Sequence, residues 1–265
     1  MMAERADPSI WHTLRARLPA RFSDLPVFVF SETDSTNDRA KAYAAEHPET
    51  RAAVFIAERQ TAGRGRRGRS FSSPDGAGLY LSVLFSPPEE GDLLLTETAR
   101  AAVSVARAIE DAAPDLHPEI KWVNDLLIDG KKTAGILAEA VLSPDGKKPR
   151  LILGIGINVH RRAFPPELEN IATSLEDHTA RTLCRADLAA KLICRILEEE
   201  PRPPFIEDYR ARLCLTGKVV FILRAAPRRA LVLGVNDCGF LHIRYDDGSE
   251  ELLNSGEISV RFWKE

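Results

Sequence analysis

Residues 53–85 read AVFIAERQTAGRGRRGRSFSSPDGAGLYLSVLF, two apolar runs around a polar loop. Ala53–Glu58 and Gly78–Phe85 are rich in aliphatic and aromatic residues and predict buried strands. Between them Gln60–Arg69, QTAGRGRRGR, packs three glycines and four arginines (Arg64, Arg66, Arg67, Arg69) into one loop. Glycine tolerates positive φ, which lets backbone N–H groups point inward as a cluster. Guanidinium groups add forked donors suited to phosphate or carboxylate oxygens. A cationic loop held between two core strands is a place to gather an anion.

The flanking sequence extends this pair into a sheet. Val27–Phe30 predicts a short strand, and Asp34-Ser35-Thr36-Asn37-Asp38 supplies capping residues for a helix running to Glu46. Residues 1–24 are a short lead-in, with Trp11, Leu14 and Leu18 at helical spacing. After a polar break over Pro87–Asp92, the recurrence of Leu95, Ala99, Ala102, Ala106 and Ile109 predicts an amphipathic helix over Asp92–Ala113. Glu119–Ile128 predicts one strand, Asp129-Gly130 a hairpin turn, and Lys132–Leu142 the returning partner. Asp145-Gly146 repeats the device before Arg150–Asn158, RLILGIGIN, another buried strand. Val159–Thr182 is long for a connection and has the length of a functional lid. Leu188, Leu192, Ile193 and Ile196 then mark a helix, and Pro201–Pro204 precedes a short one ending near Leu213. From Thr216 onward short strands (Lys218–Arg224, Arg229–Val235, Phe240–Tyr245, Glu250–Asn254) alternate with turn pairs and predict a small β-barrel. The expected class is α+β: a mixed, largely antiparallel sheet flanked by helices over residues 1–215, and a barrel over 216–265.

With 265 residues, 44% of them hydrophobic, the chain can bury a sizeable core. A pI near 6.1 argues against a general nucleic-acid binder. No apolar run approaches the ~20 residues that span a bilayer, and the amino terminus MMAERADPSI lacks the apolar segment of a secretory signal. Cys184, Cys194, Cys214 and Cys238 are widely separated, with no metal-ligand spacing, and read as reduced thiols. A cytoplasmic protein is expected, with no membrane partner.

Four patterns carry chemistry: Ser35-Thr36-Asn37 at a strand-to-helix turn; the arginine loop; Lys121-Trp122-Val123-Asn124-Asp125 with Ala134-Gly135-Ile136-Leu137; and Gly154-Ile155-Gly156-Ile157-Asn158. Taken singly, each has an ordinary explanation: a helix cap, a solvated basic face, a surface ion pair, a strand bulge.

Together, GRGRRGR, KWxND followed by AGIL, and GIGIN resemble the biotin protein ligases, also called biotin–acetyl-CoA-carboxylase ligases, from about Phe28 to Phe262. Ser255-Gly256-Glu257-Ile258-Ser259 is similar to that family's small carboxy-terminal domain, and Val123 departs from its usual proline. The resemblance implies the fold of class II aminoacyl-tRNA synthetases and biotin synthetases with an SH3-like barrel. It also implies activation of biotin by Mg·ATP as biotinyl-5′-adenylate. Transfer to a lysine of a biotin carboxyl carrier domain, such as that of acetyl-CoA carboxylase, follows. By the same resemblance Ser35, Thr36, Asn37, Gln60, Gly63, Arg64 and Arg66 surround biotin, and Gly135, Gly154 and Gly156 admit close approach of biotin or a flat ring. Arg66, Arg69 and Lys121 serve the carboxylate and phosphates, with Lys121 bridging them as the principal catalytic residue. Asn124 holds the turn beside the nucleotide, and Asn158 and Ser174 are expected at the ATP site. Metal ligands are left unassigned, and Asp115 lies in the region expected to hold a general base. Side-by-side homodimers are also expected of the family.

Three rivals remain at this level. A lipoate–protein ligase shares the adenylation logic but needs a long apolar tunnel. An Arg-Gly nucleic-acid binder is disfavoured by overall acidity and by the apolar strands around a single motif. A dual ligase and repressor needs a DNA-binding domain, which the two dozen or so residues before the first strand are too few to supply, so no DNA partner is expected.

Overall fold

The computed structural model describes residues 8–87, 93–142, 149–197, 205–223, 226–254 and 259–262. The Asp145-Gly146 turn, the 201–204 break, most of the 87–92 break and residues 255–258 lie outside them. Among the described residues, the larger sheet contains β1 (Val27–Thr33), β2 (Ala52–Gln60), β3 (Gly78–Phe85), β4 (Glu119–Lys121), β5 (Asp125–Ile128), β6 (Lys131–Leu142) and β7 (Pro149–Asn158). Their order is β1-β2-β3-β7-β6-β5-β4. β1 runs parallel to β2, and every other neighbouring pair is antiparallel. The mixed, largely antiparallel α+β architecture expected from the sequence is therefore observed.

Period-two alternation gives this sheet two different faces. On one, Val54, Ile56, Leu79, Leu81, Val83, Leu151, Leu153, Ile155 and Ile157 join a single apolar core. Burial of each such side chain contributes about 1.5–3 kcal/mol. The helices α1 (Pro8–Arg17), α3 (Leu93–Ala112), α4 (Arg185–Leu197) and α5 (Phe205–Arg212) build up this side, with α3 against β6 and α4 against β3. The opposite face carries a smaller cluster, where Ala40 and Ala44 of α2 (Thr36–Glu46) pack on Phe55, Leu84 and Ile152. Beyond it the register aligns Ser82 with Gly154 and Leu137, and Tyr80 with Gly156 and Gly135. Glycines thus leave a trough on the face that α2 only partly covers.

Two expectations need correction. Glu119–Ile128 is not one strand: β4 and β5 form a hairpin of their own, with Lys121 opposite Asp125. No glycine or proline marks that turn. It is held from outside, by Ile136 N–H donating to Asn124 O at 2.9 Å, Asn124 Nδ2 donating to Ile136 O at 3.0 Å, and Trp122 Nε1 donating to Gly239 O at 3.0 Å. The Trp122–Val123 peptide is cis. The Asp129-Gly130 turn is as expected, both residues taking positive φ (50° and 74°) to reverse the chain into β6.

The second correction concerns the carboxy-terminal strands. β8 (Val219–Leu223), β9 (Arg228–Val235), β10 (Leu241–Tyr245), β11 (Glu250–Leu253) and β12 (Ser259–Phe262) form an antiparallel sheet in the order β11-β10-β9-β8-β12. The edge strands β11 and β12 do not pair among the described residues, so the sheet is open rather than a closed barrel. β12 was not anticipated.

Candidate active site

The trough is the floor of a cavity lined by Ser35, Thr36, Asn37 and Gln60 at one end, by Gly135, Gly154 and Gly156 beneath, and by Arg64, Arg66, Arg67, Arg69, Lys121 and Lys132 around it. Residues from four separate sequence patterns therefore converge. The decisive juxtaposition, Lys121 with the arginine loop in one cavity, is present.

At the polar end the capping residues do not cap. Ser35 occupies the N-cap of α2 but makes no side-chain cap bond. Thr36 N–H donates to Gln60 Oε1 at 2.9 Å, and Gln60 Nε2 donates to Ser73 Oγ at 2.9 Å. Thr36 Oγ1 lies 2.7 Å from Ser82 Oγ, which lies 2.5 Å from Asn37 Oδ1. Asn37 Nδ2 donates to Glu139 Oε2 at 2.8 Å, and Lys41 Nζ donates to Glu139 Oε1 at 2.6 Å. Thr36, Asn37 and Ser82 are all buried. A buried set this well connected presents fixed donors and acceptors to whatever enters.

The glycines that line the cavity also make room for the chain's own side chains. A Cβ on Gly154 would collide with the Asn37 amide, with Cγ and Nδ2 both 2.9 Å away. One on Gly156 would meet the Phe71 ring at 2.5–3.0 Å, and one on Gly135 would lie 2.9 Å from Lys132 Nζ.

The arginine loop folds back as a hairpin: Gln60 N–H donates to Ser73 O at 3.1 Å, Phe71 N–H to Gly63 O at 2.8 Å, and Gly65 N–H to Arg69 O at 2.7 Å. Of its glycines only Gly68 takes positive φ (70°), beside Arg67 at 59°. Gly63 is there for space, since a Cβ would lie 2.5 Å from Phe71 O. It packs on the returning arm and is not part of the cavity lining. Arg64 pairs with Asp38 of α2. Arg66 donates from Nη1 to Asn124 Oδ1 at 3.3 Å. Burial, reinforced by the neighbouring Arg67, pulls the Arg66 guanidinium below its usual pKa. An anion bound beside it would relieve that penalty.

Sequence reading missed Lys132 and Phe71. Lys132 Nζ donates to Asp125 Oδ1 at 2.6 Å and lies 6.0 Å from the Phe71 ring centroid, above Gly135. The signal was available: Lys132 stands two residues before Ala134-Gly135-Ile136-Leu137, whose Gly135 pairs with Asp125 of the KWxND hairpin. Asn158 and Ser174 lie outside the cavity lining. Asn158 Nδ2 donates to Thr173 O at 3.2 Å and its Oδ1 accepts from Arg162 at 3.3 Å, so the amide is engaged at both ends. Ser174 is fully buried, its N–H donating to Asp177 at 3.0 Å. Asp115 also lies apart, accepting from Thr179 Oγ1 at 2.7 Å and pairing with Arg181 at 3.3 Å. Among the described residues no group of three His, Cys, Asp or Glu side chains could hold a metal ion.

Comparison with known proteins bears on the family and the fold. Residues 29–158 match the Biotin/lipoate A/B protein ligase family. A biotin--[acetyl-CoA-carboxylase] ligase of Paracoccus denitrificans is 37% identical, over 87% of this chain and 98% of that protein. The bifunctional ligase/repressor BirA of Bacillus spizizenii is 36% identical over 62% of this chain, which spans about half (51%) of that relative's length. A biotin protein ligase from Aquifex aeolicus, solved in complex with biotin and ATP, superposes with a TM-score of 0.74 at 30% identity, covering 90% of this chain and 99% of that one. With the shared fold and this extent of identity, the chain belongs to the biotin/lipoate A/B protein ligase family, alongside its biotin protein ligases.

Proposed function

We propose that the chain activates biotin with Mg·ATP and transfers the biotinyl group to a lysine of a biotin carboxyl carrier domain. One observation carries this: six cations, Arg64, Arg66, Arg67, Arg69, Lys121 and Lys132, line one cavity together with a neutral set of fixed donors and acceptors at the start of α2. Biotin has matching halves, a neutral urea ring and a carboxylate. In the first step a carboxylate oxygen attacks the α-phosphorus of ATP and pyrophosphate leaves. In the second the carrier amine attacks the acyl carbon and AMP leaves. Both reactants of the first step are anions, so catalysis is chiefly neutralisation and positioning.

Within this reading Thr36, Asn37 and Gln60 meet the urea, with Ser35 beside them and the buried Ser82 behind Thr36 and Asn37. Lys132, whose ammonium lies above Gly135 on the trough floor, takes the bridging role between carboxylate and α-phosphate in this reading. Its ammonium is a point charge that can follow charge between oxygens. Lys121, Arg66 and Arg69 then serve the phosphates, and Asn124 positions Arg66. Magnesium arrives with the nucleotide. Asp125, the one carboxylate in the described lining, suits an ion that keeps its waters and phosphate ligands. Residues 159–175 act as a lid over the adenylate. Arg162 from that segment reaches Ser72 Oγ at 3.5 Å, so the lid meets the arm that returns from the arginine loop. Closure would protect a hydrolysable anhydride from water.

Residues 1–215 form the catalytic unit in this proposal. Residues 216–265 form an SH3-like one, docked through Trp122 and Arg210, whose Nε donates to Val235 O at 3.1 Å. No described helix is long and apolar enough to cross a membrane, which is compatible with the proposed cytoplasmic setting. The test is mass spectrometry of an apo carrier domain incubated with the protein, biotin and Mg·ATP, with lipoate in parallel. One biotinyl addition on a single lysine is expected; no addition, or preferential lipoylation, would overturn the proposal.

A further inference from the structure

The polar end of the cavity can be wired in two directions. Three contacts join four groups: Asn37 Oδ1 to Ser82 Oγ (2.5 Å), Ser82 Oγ to Thr36 Oγ1 (2.7 Å), and Thr36 Oγ1 to Gln60 Oε1 (3.2 Å). Gln60 Oε1 is an acceptor in either case, because it receives the Thr36 N–H at 2.9 Å. If Asn37 turned its NH2 inward, that group would donate to Ser82, Ser82 to Thr36, and Thr36 to Gln60. All three contacts would then be satisfied. With Asn37 Oδ1 inward, only two hydroxyl protons remain for three contacts. The two shortest contacts take them: Ser82 donates to Asn37, Thr36 in turn donates to Ser82, and the longest contact goes without a proton.

Left alone, the network would favour the first direction. Glu139 prevents it. The Asn37 atom that lies 2.8 Å from Glu139 Oε2 must be a donor, because a carboxylate only accepts. Lys41 Nζ, 2.6 Å from Oε1, pairs with that carboxylate. Burial alone would raise the Glu139 pKa, but the bonds from Lys41 and Asn37 outweigh it and hold the carboxyl below its usual range. The second direction is therefore enforced. In it Asn37 keeps a spare Oδ1 lone pair, and Thr36 Oγ1 keeps lone pairs that no protein proton occupies. Both residues line the cavity.

We propose that Glu139, outside the cavity lining, is a positioning residue that sets the polarity of the urea site, turning Asn37 and, through Ser82, Thr36 so that both accept from a ring N–H. This rests on the placement of biotin's urea at the Thr36–Asn37 end. An ion pair at the half-exposed Lys41–Glu139 position would by itself be worth little. The wiring of Asn37 is what the carboxylate contributes.

The experiment compares biotin with its two cyclic carbamate analogues, in which a ring oxygen replaces one ring N–H. Pyrophosphate release is followed for wild type, Glu139→Gln and Lys41→Met. Ratios are taken within each preparation, so a lower folded fraction cancels. Wild type should prefer biotin over one analogue by about 100-fold or more in kcat/KM, because two acceptors are left facing an oxygen. Glu139→Gln can donate to Asn37, releases the reversed wiring, and should shrink that ratio to about 10-fold or less, with KM for ATP unchanged. Lys41→Met leaves the acceptor in place and should keep the wild-type ratio. A Glu139→Gln enzyme that loses activity equally on biotin and analogue would overturn the inference while leaving the urea placement intact. A wild-type enzyme indifferent to the analogues would overturn the placement itself, and the inference with it.

Discussion

Replacing Gly154 with alanine tests the wiring from the opposite side. The added methyl would stand 2.9 Å from Asn37 Cγ and Nδ2 and closer still to Oδ1. Asn37 cannot yield cheaply, because it is 3% exposed and held by Glu139 at 2.8 Å and Ser82 at 2.5 Å. A bond to a charged group contributes about 1.5–3 kcal/mol and a neutral one about 0.5–1.5 kcal/mol. Against that loss, exchanging glycine for alanine in a strand recovers about 0.5–1 kcal/mol. The net destabilisation is about 1–4 kcal/mol, at roughly 2–4 °C in Tm per kcal/mol for a domain of this size. Biotin affinity should fall with it, by about 10- to 100-fold, since the displaced amide is part of the site. Calorimetric melting and isothermal titration measure both. Adding Asn37→Ala removes the obstacle, so the double variant should be no less stable than Asn37→Ala alone, a strong departure from additivity. Wild-type melting and affinity in Gly154→Ala, or additive losses in the double variant, would refute the steric argument.

Lys132→Ala should lower the rate of adenylate formation by about 100-fold or more while changing biotin affinity less than about 10-fold, with Lys121→Ala milder; rapid-quench pyrophosphate release beside titration decides, and the reverse order would return the bridging role to Lys121. Burial pushes the Cys214 thiol up to about 11, so a thiol reagent should label the exposed Cys184 and Cys238 quickly and reach Cys214 only on unfolding; rapid labelling of Cys214 in the native protein would contradict its burial. Because the Glu139 carboxyl is held below its ordinary value of 4.5, the stability it contributes is fully present above that pH and is lost as pH falls through the lower folded-state value. Biotin affinity should therefore stay level from neutrality to about pH 5 and decline only in stronger acid, and Glu139→Gln should remove that acid limb. A decline beginning near pH 6 would point to another group.

Much of the fold was legible locally. The strands around residues 60–69, the amphipathic α3 and α4, and the Asp129-Gly130 turn follow from hydrophobic period and turn chemistry, which need only near neighbours. The β4–β5 hairpin was not legible. Its turn has no glycine or proline and depends on Ile136 and Gly239, 12 and 117 residues from the groups they hold. The closed barrel was over-read, since alternation predicts strands but not whether the last strand meets the first.

The candidate site divides in the same way. Sequence alone determined which residue types were available: arginines in a loop between buried strands, small residues on β6 and β7, and hydroxyl and amide groups where a helix begins. Those are consequences of local chemistry. Tertiary structure decided how they are used, because the direction of a hydrogen bond depends on partners brought from elsewhere in the chain. Glu139 meets Asn37 across 102 residues, and Ser82 meets Thr36 across 46. Only the packing of α2 on the sheet turns a capping sequence into a set of acceptors.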